Sequence, residues 1–85
     1  MNVKLKLFAT LSDYLPPLEE RKGNEVALDV PDDTTVMQII ERFNLPKKLV
    51  HLVLINGHFV PPGAREDRSL SEGDVLAIWP PIAGG

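Results

Sequence analysis

Residues 70–85 read Leu70-Ser71-Glu72-Gly73-Asp74-Val75-Leu76-Ala77-Ile78-Trp79-Pro80-Pro81-Ile82-Ala83-Gly84-Gly85. Glu72-Gly73-Asp74 is a turn signal anchored by the apolar Leu70. Val75 to Trp79 is an unbroken apolar run, which predicts a strand inside a sheet rather than at its edge. Pro80 and Pro81 stop that strand, because each fixes φ and lacks a backbone donor. Gly84 and Gly85 leave no side chain beside the terminal carboxylate. The stretch thus predicts a rigid strand that feeds a slim, unhindered carboxyl group. A frayed domain end is also rich in glycine, so the remaining residues decide whether the tail is idle or working.

Working back from that strand, Asn56-Gly57 is the strongest hairpin signal in the chain. Before it, Leu52 to Ile55 is a continuous apolar run, as expected of a strand covered on both sides or close to a barrel-like core. After it, His58-Phe59-Val60 is the return strand, ended by Pro61-Pro62-Gly63. Ala64 to Ser69 reads as a solvated, charge-mixed loop containing Arg65, Glu66, Asp67 and Arg68. Upstream, Val36, Ile39, Ile40 and Phe43 stand at i, i+3, i+4 and i+7. That spacing predicts one amphipathic helix of about ten residues. Thr34 or Thr35 begins it, Asp32 and Asp33 suit its positive end, and Asn44 with Pro46 ends it. Val26, Leu28 and Val30 alternate with polar partners, as do Val3, Leu5 and Leu7, giving two half-buried strands. A hairpin with a long loop joins them. Within that loop Thr10 or Ser12 is expected to cap a short helical turn through Leu11, Tyr14 and Leu15, which Pro16-Pro17 stops. The order is strand, strand, helix, strand, short strand, strand, an α+β arrangement of one helix over a mixed sheet.

The totals narrow the function. Eighty-five residues suit one domain with one core. The formal net charge of −3 argues against nucleic acid as the main partner, since phosphate binding needs clustered cations. With no cysteine, thiolate metal sites and cysteine catalysis are excluded within this chain. The N-terminus alternates Lys4, Leu5, Lys6 and Leu7, unlike a signal peptide, and no run reaches membrane-span length. A soluble, cytoplasmic protein without a membrane role is expected.

No catalytic constellation stands out. His51 and His58 lack metal-ligand neighbours. Ser12, Ser69 and Ser71 have no base at a motif spacing. Glu19-Glu20 and Asp32-Asp33 read as a solvated loop and a helix start. No cofactor and no metal are expected. Trp79 reads as core packing or as a partner anchor. What remains is the terminal carboxylate, a poor electrophile until it is converted to an acyl phosphate or adenylate. Six extended residues from Pro80 reach roughly 20 Å, sufficient to enter a partner's buried site, and the prolines limit the entropy lost on ordering.

These residues resemble the MoaD/ThiS family of sulfur carriers, nearest its MoaD branch, with the ubiquitin-like β-grasp fold. The resemblance rests on Leu7-Phe8-Ala9 with Leu11, on Val53-Leu54-Ile55-Asn56-Gly57, on Leu70 to Val75, and on Pro80 to Gly85. It implies a sheet of four to five strands on one main helix over residues 1–79 and a flexible tail over 80–85. It implies that Gly85 is adenylated and then converted to a thiocarboxylate, with Gly84 giving steric clearance. The chain is then the non-catalytic, sulfur-donating subunit of molybdopterin synthase, which builds the dithiolene of molybdopterin. The implied partners are a large synthase subunit like MoaE and an ATP-dependent adenylating and sulfurylating enzyme like MoeB. Pro80, Pro81, Ile82 and Ala83 would thread the partner channel, while Phe8, Phe59 and Trp79 would make apolar partner contacts. Trp79 departs from the smaller residue expected there. A ThiS-like carrier for thiazole synthesis, a tungsten-pterin carrier and a ubiquitin-like modifier are the alternatives.

Overall fold

A computed structural model gives the fold and describes residues 1–81. The expectations placed on Ile82, Ala83, Gly84 and Gly85 lie outside the described residues. Five strands form one mixed sheet: β1 (Asn2–Leu7), β2 (Glu25–Asp29), β3 (Leu52–Ile55), β4 (His58–Phe59) and β5 (Val75–Trp79). Their order is β2-β1-β5-β3-β4. The last strand therefore lies at the centre, as its apolar run predicts. It pairs parallel with β1 (Leu5 beside Leu76) and antiparallel with β3 (Val53 beside Ile78).

One face of the sheet packs on the helix α1 (Val36–Arg42). Leu5, Leu7, Val53, Ile55, Leu76 and Ile78 meet Val36 and Ile39 there, all essentially fully buried. Burial of such side chains stabilises by about 1.5–3 kcal/mol each. The run Leu52 to Ile55 proves one-sided: Val53 and Ile55 are buried, whereas Leu52 and Leu54 remain half-exposed. A short apolar run carries no period by which a one-sided strand can be told from a covered one.

The helix has seven residues rather than about ten. Thr35 caps it reciprocally with Gln38. The Gln38 N–H donates to Thr35 Oγ1 at 3.2 Å, and the Thr35 N–H donates to Gln38 Oε1 at 2.9 Å. Its end is early because Asn44 turns left-handed at φ 56. The N–H groups of Leu45 and Asn44 then donate to the carbonyls of Ile40 and Glu41, closing a Schellman motif with Leu45 packed in the core. The turn after β1 also differs from expectation. It is a 3-10 segment over Ala9–Tyr14 with no side-chain cap, and Phe8, not Thr10 or Ser12, occupies the cap position. Ala9 at φ 51 reverses the chain at once, so the first helical bond runs from the Leu11 N–H to the Phe8 carbonyl.

Asn56 ties the β3–β4 turn to β5. Its backbone is left-handed at φ 50, followed by Gly57 at φ 85, as a type I′ turn requires. Its Nδ2 donates to Asp74 Oδ1 at 2.8 Å, and its Oδ1 accepts from the Val75 N–H at 2.9 Å. Asn56→Ala loses both bonds and keeps the unfavourable φ, so about 2 kcal/mol of stability should disappear in urea unfolding. Asn56→Gly should cost roughly 1 kcal/mol less, because glycine accepts the positive φ.

Candidate functional site

The sheet face away from the helix carries two cross-strand rows. In the first, Phe59 of β4 stands beside Leu54 of β3, Leu54 beside Ala77 of β5, and Ala77 beside Lys6 of β1. In the second, Leu52 stands beside Trp79, and Trp79 stacks on Phe8 with ring centroids 4.0 Å apart and planes at 7°. Such a stack contributes about 0.5–1.5 kcal/mol beyond area burial. Period-two alternation puts these residues on one face, so the three predicted contact residues Phe8, Phe59 and Trp79 share one surface. Phe59 is 57% exposed, while Phe8 and Trp79 are half-buried. Trp79 packs on Phe8 at the outer sheet face rather than in the core, and it still shows a face to solvent.

Leu52, Leu54 and Ala77 belong to this face and were not singled out from the sequence. Leu52 and Leu54 lie in a run that carries no period of its own, and the sheet order is what shows that they face outward. On the β1 side the face becomes charged. Lys4 and Lys6 each approach Glu25 at 3.8 Å.

The apolar rows lead to the chain end. The Trp79 carbonyl accepts from the His51 N–H at 3.0 Å, which holds β5 to its last residue. Pro80 is half-buried and Pro81 exposed, so the chain leaves the domain from a hydrogen-bonded strand beside the aromatic stack.

Arg65 corrects the reading of its loop as a solvated surface turn. It is only 5% exposed. Its Nε, Nη1 and Nη2 donate to the carbonyls of Val60, Val50 and His51 at 3.3, 3.3 and 3.0 Å. Burial lowers its pKa below the usual arginine range. The same loop caps α1, since the carbonyls of Arg65 and Arg68 accept from the Met37 and Val36 N–H groups. Its work is structural: it fixes both ends of the β3–β4 hairpin, and Phe59 stands on that hairpin.

Among the described residues no cluster of His, Asp or Glu could hold a metal ion. No helix there is long and apolar enough to cross a membrane. His51 and His58 are both exposed. Among the described residues, the candidate site is the apolar sheet face that runs to Pro80 and Pro81.

Comparison with known proteins agrees with this geometry. The model of the ThiS family matches residues 6–85. No curated protein sequence matches the chain. Among solved structures, SAMP1 of Haloferax volcanii is similar at 25% identity and a TM-score of 0.65, with 100% of both chains covered. The thiamine biosynthesis protein ThiS of Geobacter metallireducens is similar at 15% identity and a TM-score of 0.65, again over 100% of both chains. A third is found in the complex of subunits 1 and 2 of the molybdopterin-converting factor of Helicobacter pylori, at 19% identity, a TM-score of 0.59 and 100% coverage of both chains. The fold is the ubiquitin-like β-grasp that these neighbours share.

Proposed function

We propose that this chain, which belongs to the ThiS family, is the sulfur-carrying small subunit of a molybdopterin synthase. Its Gly85 carboxylate attacks the α-phosphorus of ATP in a partner enzyme and expels pyrophosphate. A sulfur nucleophile then displaces AMP and leaves a thiocarboxylate. In a large synthase subunit the thiocarboxylate sulfur bonds to the substrate for dithiolene formation; water then attacks the acyl carbon, the acyl–sulfur bond breaks with the sulfur left on the substrate, and Gly85 returns to a carboxylate. Gly84 keeps the path to the carbonyl carbon free of side chains.

The observation that carries this reading is the chain end. Pro80-Pro81-Ile82-Ala83-Gly84-Gly85 follows directly from the central strand, beside a stacked aromatic pair. A buried, paired strand holds the root of the arm, and the aromatic face gives partners something to grip. The Helicobacter pylori neighbour was solved as a complex of two subunits; we extend that pairing to this chain as part of the proposal.

The test is chemical. The untagged protein is incubated with an adenylating partner, ATP and a sulfur donor, and its intact mass is recorded. A gain matching replacement of oxygen by sulfur at Gly85 is expected, followed by dithiolene formation when the large subunit and cyclic pyranopterin monophosphate are added. A protein that stays a plain carboxylate throughout would sink the proposal. A thiocarboxylate that feeds only thiazole synthesis would move the chain to the thiamine branch.

A protein-modifier role is the second reading, favoured by the likeness to SAMP1 across both full chains. It predicts high-mass conjugates, lost when acceptor lysines are changed to arginine, and the carrier reading predicts none.

Phe59 offers a clean probe of the face. At 57% exposure, Phe59→Ala should leave the urea midpoint almost unchanged. It should weaken capture by the large subunit about tenfold, as expected for an aromatic anchor. Unchanged capture would remove the β4 end of the face from the interface.

A further inference from the structure

Between Glu41 and Glu66 the chain has no Asp or Glu, yet it carries Arg42, Lys47, Lys48 and Arg65. All 12 acidic side chains lie elsewhere, in a chain whose net charge is −3. The fold does not neutralise this cationic stretch. Among the described residues, ion pairs form only at the Met1 ammonium, Lys4 and Lys6. Lys47 and Lys48 are exposed on a short 3-10 turn, Lys47–Leu49.

A cavity of about 280 Å³ opens in this part of the molecule, lined by Met37, Ile40, Lys47, Val50, Pro62 and Arg65. Its walls come from α1 and from the segments that flank β3 and β4. It is therefore separate from the outer sheet face that holds Leu54 and Phe59. Pockets that enclose a whole small molecule run to roughly 300–1,000 Å³, so this one suits a single apolar side chain. Val50 places it next to the end of β5, because the following residue, His51, donates its N–H to the Trp79 carbonyl.

The charge of the lining has no counterpart. Arg65 is almost fully buried, and a guanidinium carries five N–H groups. Its bonds to the carbonyls of Val60, Val50 and His51 use one each on Nε, Nη1 and Nη2. One N–H on each Nη finds no acceptor among the described residues. Buried charges are ordinarily paired with an opposite charge, and here only carbonyl dipoles face the cation. Lys47 adds a second positive charge at the rim. Glu41 and Glu66 lie past Met37, around a separate hollow, so the uncompensated charge is on the Lys47 side.

We infer that this cavity is a docking site for an acidic segment of a partner protein, with one apolar side chain seated among Met37, Ile40, Val50 and Pro62 and carboxylates following it over Lys47 and Lys48. The apolar anchor supplies burial, and the unpaired cations select an acidic segment over a basic one. A partner seated here stands beside the strand from which the chain end leaves, and its binding does not depend on the chemistry of Gly85.

The test uses the whole protein and the acetylated, amidated pentapeptide Ser-Gly-Leu-Glu-Glu, followed by carbon- and nitrogen-edited NMR. Shifts of the Met37 and Ile40 methyl groups and of the Lys47 and Lys48 amides are expected. A peptide with lysine in place of both glutamates, and one with serine in place of the leucine, should each give none. Joint Lys47→Glu and Lys48→Glu substitution, at two exposed side chains, should leave the urea midpoint in place. It should weaken the acidic peptide about tenfold and let the lysine peptide bind. Arg65 stays unchanged in every variant, since it also holds three backbone carbonyls. Shifts centred on Phe59 and Trp79, no shifts at all, or equal binding of the serine peptide overturn the inference. So does a double variant that binds the acidic peptide as well as the parent does. Met37 signals that move when the protein alone is diluted would assign the cavity to a second copy and likewise overturn it.

Discussion

Deletion of Gly85 should lower pyrophosphate exchange with the adenylating partner by about a hundredfold or more while leaving the unfolding midpoint where it was. The two halves of that expectation have separate causes. Among the described residues Ile78 is the last fully buried side chain of β5, and a glycine has no side chain to add to a core. Deletion does not remove the carboxylate; it moves it back by one residue, about 3.5 Å along an extended chain. Misplacement of a reacting atom by even 1 Å can cost about a hundredfold. Gly85→Ala separates reach from clearance, because it keeps the length and adds only a Cβ. If the alanine variant retains full exchange and the deletion does not, reach is the constraint. If the deletion exchanges pyrophosphate as well as the full chain does, Gly85 is not the reactive position and the carrier proposal falls with it.

The second large effect falls on stability. Arg65→Met should cost about 3 kcal/mol, because it leaves the carbonyls of Val50, His51 and Val60 without their donor and unsatisfied buried acceptors cost about 1–3 kcal/mol each. The carbonyl of His51, whose bond is only partly buried, costs least. For a domain whose total stability is about 5–15 kcal/mol, this is a large share. At about 4–8 °C per kcal/mol, the melting temperature should drop by more than 10 °C. Arg65→Lys should not rescue it, since one ammonium cannot reproduce a planar fork that spans three carbonyls. Arg68→Ala, at an exposed neighbour whose side chain, among the described residues, bonds only the adjacent Ser69 carbonyl, should stay within about 0.5 kcal/mol. A small loss for Arg65→Met in urea unfolding would show that water replaces the guanidinium.

Arg65 also marks the limit of what the residues alone could say. Alternation in β1 and β2, the Asn56-Gly57 turn and the apolar β5 run were all legible, because strand period and turn chemistry are local. So was the helix N-terminus, where Thr35 and Gln38 satisfy each other within one turn. Arg65 was not legible: nothing in Ala-Arg-Glu-Asp-Arg tells a buried arginine from an exposed one, because its partners are the backbone carbonyls of Val60, His51 and Val50, outside the loop itself. The apolar face was half legible. Phe8, Phe59 and Trp79 stood out by type, but Leu52 and Leu54 merged into a run whose exposed members only the sheet order reveals. The helix length was overestimated because Phe43 fits the apolar spacing yet lies at the cap.

The placement of β5 has a consequence for how the chain reaches its fold. The central strand is the last of the five along the chain, and its partners β1 and β3 are not paired with each other. Until residues 75–79 are present, the sheet exists only as two separate hairpins, and pairing Leu5 with Leu76 demands closure of almost the whole chain. Folding of this kind is non-local and slow for its size. A nascent or truncated chain ending before β5 therefore lacks a closed sheet and the Phe8–Trp79 stack at the same time. If the chain is the carrier proposed above, a partner that grips the sheet would meet only chains that contain β5, so quality control and delivery would depend on one and the same strand.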